Sequence, residues 1–439
     1  MEKRLGILPT TAETNGLGHL VVGGCDVVDL VSEYGSPLYV YDEATIRARC
    51  REYVGGLTAI APDSLDIYAT KAFANAGIFQ ILAEEGLGLD VVSGGEVALA
   101  HRSGFQMERV YFHGNNKLTD EMELAVELGV GRFVVDNLYE LGRLDALGRR
   151  LGVRLPALIR VGPGVEAHTH DYRKTGILDS KFGIPISTGQ AETAVIEATQ
   201  ARGIELLGLH AHIGSQIFEI TPYVETIRIV LQFAREMRQR HGLQLREFSP
   251  GGGWGISYTD EDDPLSADEV ARTVGQAVQS IAAEQGLATP RIIIEPGRSI
   301  VGQAGVALYT VGAIKDIPSV RRYVSVDGGM ADNIRPALYG AVYQPLVANR
   351  MNDAPTETVT IAGRYCESGD LLVKDARLPH LAPGDLLALP ASGAYNLAMS
   401  SNYNMALRPA VVLVTGGQAR LIRRRETYQD LLSTEVALD

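Results

Sequence analysis

Eight short apolar runs alternate with helical patterns between Leu65 and Glu295, and this alternation limits the possible folds more than any other feature of the chain. The runs are residues 65–70, Leu89–Val92, Val110–Phe112, Phe133–Val135, Ala157–Val161, Leu206–His210, Glu247–Phe248 and Ile292–Ile294. Helical periodicity fills much of the space between them, over Ala76–Glu85, Gly95–Ser103, Thr119–Leu128, Tyr139–Arg150, Tyr223–His241 and Ala267–Gln285. Strands joined through helices pair in parallel, and eight of them fit a closed (β/α)8 TIM-like barrel better than an open doubly wound sheet. The Gly-rich turns lack the dinucleotide fingerprint in its strand–turn–helix setting, which weakens a nicotinamide-cofactor reading.

Beyond residue 305 the pattern changes to strands punctuated by Gly, Pro and Asp: Val306–Val311, Tyr323–Val326, Val359–Ala362, Leu386–Pro390 and Ala410–Val414. That spacing predicts an all-β domain, with a short helix in the tail after Arg423. Residues 5–35 read as short β elements, Pro37–Tyr41 as a strand, and Asp42-Glu43 as the acidic start of a helix. At 439 residues the chain exceeds one average core. The expected division is an α/β barrel domain over 37–305 and a β domain formed by 1–36 and 306–439.

Net charge is −13, from 40 basic and 53 acidic residues, which argues against nucleic acid or an anionic membrane as the main partner. No apolar run approaches the roughly 18 residues needed to span a bilayer, and Met1–Gly6 shows no signal-peptide core. Cys25, Cys50 and Cys366 form a sparse, odd set without metal-ligand spacing, so reduced thiols and a cytoplasmic location are expected, with no metal.

In a βα barrel the chemistry gathers at the C-terminal ends of the strands. Those positions carry Lys71, Asp90, His113, Asp136, Arg160, His210-Ala211-His212, Pro250–Gly253 and Glu295-Pro296-Gly297-Arg298. Lys71 follows an apolar strand, where a lysine either snorkels to solvent or, desolvated, offers a neutral amine to a carbonyl. Glu295 follows Ile292-Ile293-Ile294, and burying it requires a cation: Arg298 nearby or a protonated ring nitrogen. Ser249–Gly253 reads as a turn that lets backbone N–H groups approach an anion, and Ile213-Gly214-Ser215 offers a hydroxyl to the same group. His212 is either structurally satisfied or stacked on a ring. A lysine for an aldehyde, a carboxylate for a ring nitrogen, a flat histidine and glycines for a phosphate together describe a pyridoxal 5'-phosphate site.

These motifs make the chain resemble, nearly end to end, the alanine-racemase-fold (fold type III) pyridoxal-phosphate decarboxylases, and among them the diaminopimelate decarboxylase family. The matches include Tyr68–Ala72, His113–Lys117, Ser180–Gly183, His210–Gln216, Gly251–Gly253 and Glu295–Arg298. They continue through Asp327–Met330, Arg335–Tyr339, Cys366–Asp370, Gly393–Tyr395 and Met399–Asn404. The resemblance implies that Lys71 is the Schiff-base lysine, that His212 stacks on the cofactor ring and that Glu295 holds its nitrogen. It assigns the phosphate to Ser215, Gly252, Gly253, Pro296-Gly297, the Arg298 backbone and Tyr395, and places Asp90 and Arg160 near the ring. For substrate it implies Arg298, Arg335 and Tyr339 around the distal carboxylate of meso-diaminopimelate, a planar anion suited to a guanidinium fork, with Tyr395 also touching the substrate. Glu367 then meets the distal ammonium. Cys366, otherwise read as a small buried hydrophobe, matches the family's proton donor, reaching the neighbouring subunit's site in a homodimer.

The implied reaction is decarboxylation of meso-2,6-diaminopimelate at its D-centre to L-lysine and carbon dioxide, the last step of lysine biosynthesis. A decarboxylase of another amino acid or of carboxynorspermidine, a racemase, and a non-catalytic regulator share this fold. Arg335 with Tyr339 discriminates against ornithine-type substrates, and intact Lys71, Glu295 and Cys366 against a silent relative. The sequence departs from the family at the charged stretch His168–Gly176 and at Met405-Ala406-Leu407.

Overall fold

A computed structural model of the chain describes residues 6–165 and 179–438, so the stretch His168–Gly176 lies outside the described residues. By their internal contacts these residues form two compact units, one of 49–255 with 264–299, the other of residues up to 48, 256–263 and those from 300 onward.

The first unit holds the barrel. Its strands are Ser64–Ala69, Gly88–Val91, Val110–Phe112, Arg132–Val135, Leu155–Gly162, Ile204–His210, Glu247–Gly252 and Arg291–Glu295. Each pairs in parallel with the next in sequence, and the last returns to the first through Ile292↔Ser64, Ile293↔Leu65 and Ile294↔Asp66, closing the sheet. Alternation decides which side chains fill the interior. Leu65 and Ile67 join Tyr111, Val134, Leu158 and Ile293 in one buried cluster.

The helices follow from local signals. Ser266 and Glu269 close a capping box at the start of Ala267–Glu284, and Val270, Val274, Val278 and Ile281 bury one stripe of that helix. The sequence reading omits the helix Gln190–Gln200, whose buried stripe of Ala191, Ala194, Val195 and Ala198 is mostly alanine and gives a weak periodic signal. The seventh strand also runs further than expected. Gly251 and Gly252 stay in register with Ile294 and Glu295, so most of the anticipated glycine turn is strand.

The second unit is built on a sheet ordered Leu371–Leu378, Glu357–Ala362, Arg321–Val326, Gly305–Ile317, Leu38–Asp42, Ala410–Thr415 and Gln418–Arg423. Leu38–Asp42, placed in the barrel domain by the sequence reading, runs antiparallel to Gly305–Ile317 and parallel to Ala410–Thr415. All five of its residues are buried, which a strand achieves only with neighbours on both edges and cover on both faces. Leu38, Val40, Val306, Leu308, Ala388, Val412 and Val414 share one apolar core. The intervening Tyr39 and Tyr309 meet each other through their hydroxyls at 3.2 Å.

Val27–Tyr34, expected within a β-rich segment, is a helix. Asp26 caps it by accepting the Val28 N–H at 2.9 Å, and Val27 with Leu30 supplies the buried spacing. Among the described residues no helix is long and apolar enough to cross a membrane.

Asp66 is buried in the first barrel strand, and burial pushes its carboxyl up to about 8. A folded-state value above the ordinary carboxylate value of about 3.9 makes the charged form the unfavourable one. Stability is therefore full below about pH 4, declines as pH rises towards 8, and falls no further above it. Asp66→Asn should flatten that decline, raising the thermal midpoint relative to wild type at pH 8.5 but not at pH 4.5. Parallel melting curves for the two proteins would contradict this account.

Candidate active site

In the barrel unit the strand ends converge on one carboxylate. Glu295 ends the eighth strand, buried, and its Oε1 accepts the Ser249 hydroxyl at 2.7 Å from the seventh strand. His210, ending the sixth, places Nε2 at 3.0 Å and 3.1 Å from the two carboxylate oxygens. Burial opposes ionisation of Glu295, but the charge and hydrogen bond of His210 outweigh it and hold the carboxyl well below the usual carboxylate range. His113, after the third strand, approaches edge-on to His210 with ring centres 5.0 Å apart. Its Nε2 is 3.8 Å from Glu295 and 3.7 Å from Asp90. Burial drives His113 well below its ordinary value, so its ring is neutral.

Lys71 lies in the short turn Thr70–Ala72 that follows the first strand. The turn is tied to its neighbours by Thr70 Oγ1 donating to the Asp90 carbonyl at 2.8 Å and by the Ala69 N–H donating to the Pro296 carbonyl at 3.0 Å. Lys71 is exposed, so the desolvation suggested by its strand-end position is absent. Its charge acts on Asp90 and Glu96. Burial lifts Asp90 to about 7, opposed by Lys71 and reinforced by Glu295 and Glu96. Burial also raises Glu96, which accepts the Val92 N–H at 2.7 Å. Arg160 is buried over the Phe182 ring at 4.7 Å, with Nε 3.7 Å from Asp136.

His212 accepts the Gly252 N–H on Nδ1 at 3.2 Å, which fixes the ring and puts any neutral-state proton on Nε2. Burial and the Lys71 charge push this histidine well below its ordinary value. The same bond engages the Gly252 amide. Gly253 has φ +106°, and a Cβ there would fall 2.0 Å from the Gly214 carbonyl, so the two glycine turns pack backbone to backbone. Arg298 donates from Nη2 to Ser215 Oγ at 3.1 Å, and a Cβ on Gly297 would fall 2.9 Å from that of Ala69.

The second unit carries the remaining predicted residues. Arg335 and Tyr339 begin and end one helical turn, so they share a face. Arg335 is only 2% exposed, stacks over the Tyr258 ring at 4.5 Å and donates from Nη1 to the Tyr343 hydroxyl. Among the described residues its partners are phenols and not a carboxylate. Tyr395 sits at φ +62°, an uncommon conformation for a bulky residue. Cys366 and Glu367 are exposed, correcting the buried-hydrophobe alternative for the cysteine. The Cys366 N–H donates to Asn404 Oδ1 at 2.9 Å, and Tyr403 donates to the Cys366 carbonyl at 3.1 Å. Cys25 and Cys50 are buried and form no disulfide.

The sequence reading missed the supports of Glu295. Ser249 was read only as part of a turn, and His113 and His210 only as strand ends. Their one shared signal is position, since Ser249 lies in the seventh strand, His210 ends the sixth and His113 follows the third. His113, His210 and Glu295 bring one ligand atom each within 4.8 Å of one another, a set that could also accept a metal ion although no sequence spacing announces it. The barrel groups fit pyridoxal phosphate. An ionised carboxylate suits a ring N–H, and buried His113 Nε2 and Asp90 Oδ1 beside it have no hydrogen-bond partner among the described residues.

Residues 43–302 match the family model of the pyridoxal-dependent decarboxylases, pyridoxal binding domain. A diaminopimelate decarboxylase from Bacillus subtilis (strain 168) is 47% identical over 97% of this chain and 97% of its own. The corresponding enzyme of Mycobacterium tuberculosis (strain H37Rv) is 43% identical over 98% of each. A crystal structure of diaminopimelate decarboxylase from M. jannaschii in complex with L-lysine superposes with a TM-score of 0.92 at 33% identity, covering 98% of both chains.

Ser249→Ala removes one hydrogen bond to an ionised carboxylate and should weaken pyridoxal phosphate binding about tenfold, equivalent to ~1.4 kcal/mol. Equilibrium titration of the apoprotein reads this directly. An unchanged dissociation constant would leave His210 as the sole support of Glu295.

Proposed function

The chain belongs to the diaminopimelate decarboxylase family of pyridoxal-dependent decarboxylases, and on that footing we propose that it converts meso-2,6-diaminopimelate to L-lysine and carbon dioxide by releasing the carboxyl group at the D-centre. The observation that carries the choice of substrate is Arg335, a buried guanidinium that among the described residues is met by phenols and by no carboxylate. A buried cation of this kind favours a ligand that brings its own anion. Diaminopimelate has a second carboxylate to supply; ornithine does not.

Pyridoxal phosphate, when bound, supplies the electron sink for the pair left behind as carbon dioxide departs. The chain's own residues do the rest. Lys71 would hold the cofactor through its aldehyde group. Glu295, kept ionised by His210 and Ser249, holds the ring N–H. His212 would pack against the cofactor ring, with Asp90 and Arg160 near it. Ser215, Gly252, Gly253, Pro296-Gly297, the Arg298 backbone and Tyr395 hold the phosphate. Support at Gly252 is weaker, because its N–H is already given to His212. Arg298, Arg335 and Tyr339 hold the distal carboxylate, Glu367 the distal ammonium, and Tyr395 also contacts the substrate. Cys366 returns a proton to the α-carbon; its exposure supports a role in a partner subunit's site within a homodimer. In this reading the barrel unit, 49–255 with 264–299, holds the cofactor, the other unit supplies Arg335, Tyr339 and the proton donor Cys366, and the enzyme works in the cytoplasm.

The deciding experiment is carbon dioxide release by the cofactor-loaded protein from meso-diaminopimelate, with D-lysine, L-lysine and ornithine as controls. Turnover of diaminopimelate alone is expected; turnover of ornithine instead would overturn the substrate assignment.

The shared-site arrangement has its own test. Lys71→Ala and Cys366→Ala should each be inactive alone. Mixed and allowed to exchange subunits, they should recover roughly a quarter of wild-type activity, because half the dimers then hold one intact site. No recovery despite exchange would place Cys366 in its own subunit's site.

A further inference from the structure

The phenol that meets Arg335 is itself held, and the direction of its hydrogen bonds is forced. Arginine has only donors, so Tyr343 must accept from Nη1 and keep its single proton for another partner. That partner is Asn396 Oδ1, at 3.0 Å. Tyr343 and Asn396 are both almost fully buried, so neither can exchange this arrangement for water. The Tyr258 ring packs against Tyr343 as a T with centres 5.5 Å apart and closes the other side of the guanidinium. The guanidinium plane is thus set by an aromatic face and an oriented phenol before any ligand arrives.

We propose that Tyr343 is the positioning residue of substrate recognition: by accepting from Arg335 while donating to Asn396, it fixes the guanidinium in the orientation that grips the distal carboxylate. This rests on the reading of Arg335 given above. Loss of the phenol oxygen would leave a guanidinium N–H and the Asn396 carbonyl oxygen buried without each other's bridge, and Arg335 would turn to seek new partners. Affinity for the carboxylate falls as a result, while the groups that handle the α-carbon are untouched. Tyr343 acts through Arg335, so its removal should separate binding from turnover.

The test uses the holoenzyme and the isosteric variant Tyr343→Phe. KM for meso-diaminopimelate should rise about tenfold with kcat within about twofold, and the cofactor absorbance should stay at its wild-type position. Two inhibitors sharpen the reading. L-lysine keeps the gripped carboxylate, so its inhibition constant should rise by the same factor, whereas cadaverine lacks it and should bind as before. In an Arg335→Met background, Tyr343→Phe should have no further effect. Wild-type constants in Tyr343→Phe would overturn the proposal. So would a parallel loss for cadaverine, or an undiminished effect in the Arg335→Met background, either of which marks general damage to the pocket. If Arg335→Met alone leaves KM unchanged, the assignment of Arg335 itself fails, and the proposal with it.

Discussion

The arrangement of the barrel mouth depends on keeping one buried carboxylate charged. An isolated carboxylate moved out of water is strongly disfavoured and normally takes up a proton. Glu295 avoids this through Ser249 from the seventh strand and His210 from the sixth, with His113 from the third at the edge of hydrogen-bond reach. None of these contacts is local in sequence. They exist because eight parallel strands close in order and bring the ends of distant strands together, so the fold's topology is what makes the charge tolerable. A ring cation placed against Glu295 then completes an electrostatic balance that the protein has half assembled.

The order of dependence explains what could be read from the chain and what could not. Strand ends were legible because apolar runs and the residue after each are local facts: Lys71, Asp90, His113, Glu295 and Arg298 are all found that way. The closed barrel followed from the alternation itself. Partners across strands were not legible. Nothing in Ser249-Pro250-Gly251 says that its hydroxyl points at a residue 46 positions away. Exposure was not legible either: Lys71 is exposed although the strand before it and its neighbours Thr70 and Ala72 are buried. Leu38–Asp42 shows the limit for whole elements, since its five residues specify a strand but not which sheet receives it. The helix Val27–Tyr34 was available from the Asp26 cap and its apolar spacing, and was obscured by the β-rich residues around it.

The second unit solves a different problem, the presentation of an exposed thiol on a fixed backbone. Asp370 accepts the Met330 and Tyr365 N–H groups at 2.6 Å and 2.9 Å, joining the turn around Gly329 to the loop that bears Cys366. Asp332 anchors the same turn from below by accepting the Gly329 N–H at 2.9 Å and the hydroxyls of Tyr309 and Tyr39. Burial lifts both carboxyls above their ordinary values, Asp332 to about 6. With Asn404 and Tyr403 on the backbone of Cys366 itself, the loop is held from both ends while its side chain stays accessible.

The compactness of the Arg335–Tyr339 turn has a consequence for how this protein family can diversify. Both residues lie within five consecutive positions, and Tyr343, whose phenol accepts from Arg335, follows Tyr339 by only four residues. In the proposed reading Lys71 and Glu295, which serve the bond that breaks, belong to the barrel unit and are encoded far from this turn, while Arg298 beside Glu295 shares in gripping the substrate and Cys366 lies in the second unit. Much of the proposed selectivity is therefore separable from the reactivity at the level of the gene. A short replacement around one helical turn could redirect the enzyme to a different amino acid while leaving the inherited reaction intact, and mutations there can be sampled without first dismantling what makes the catalyst work.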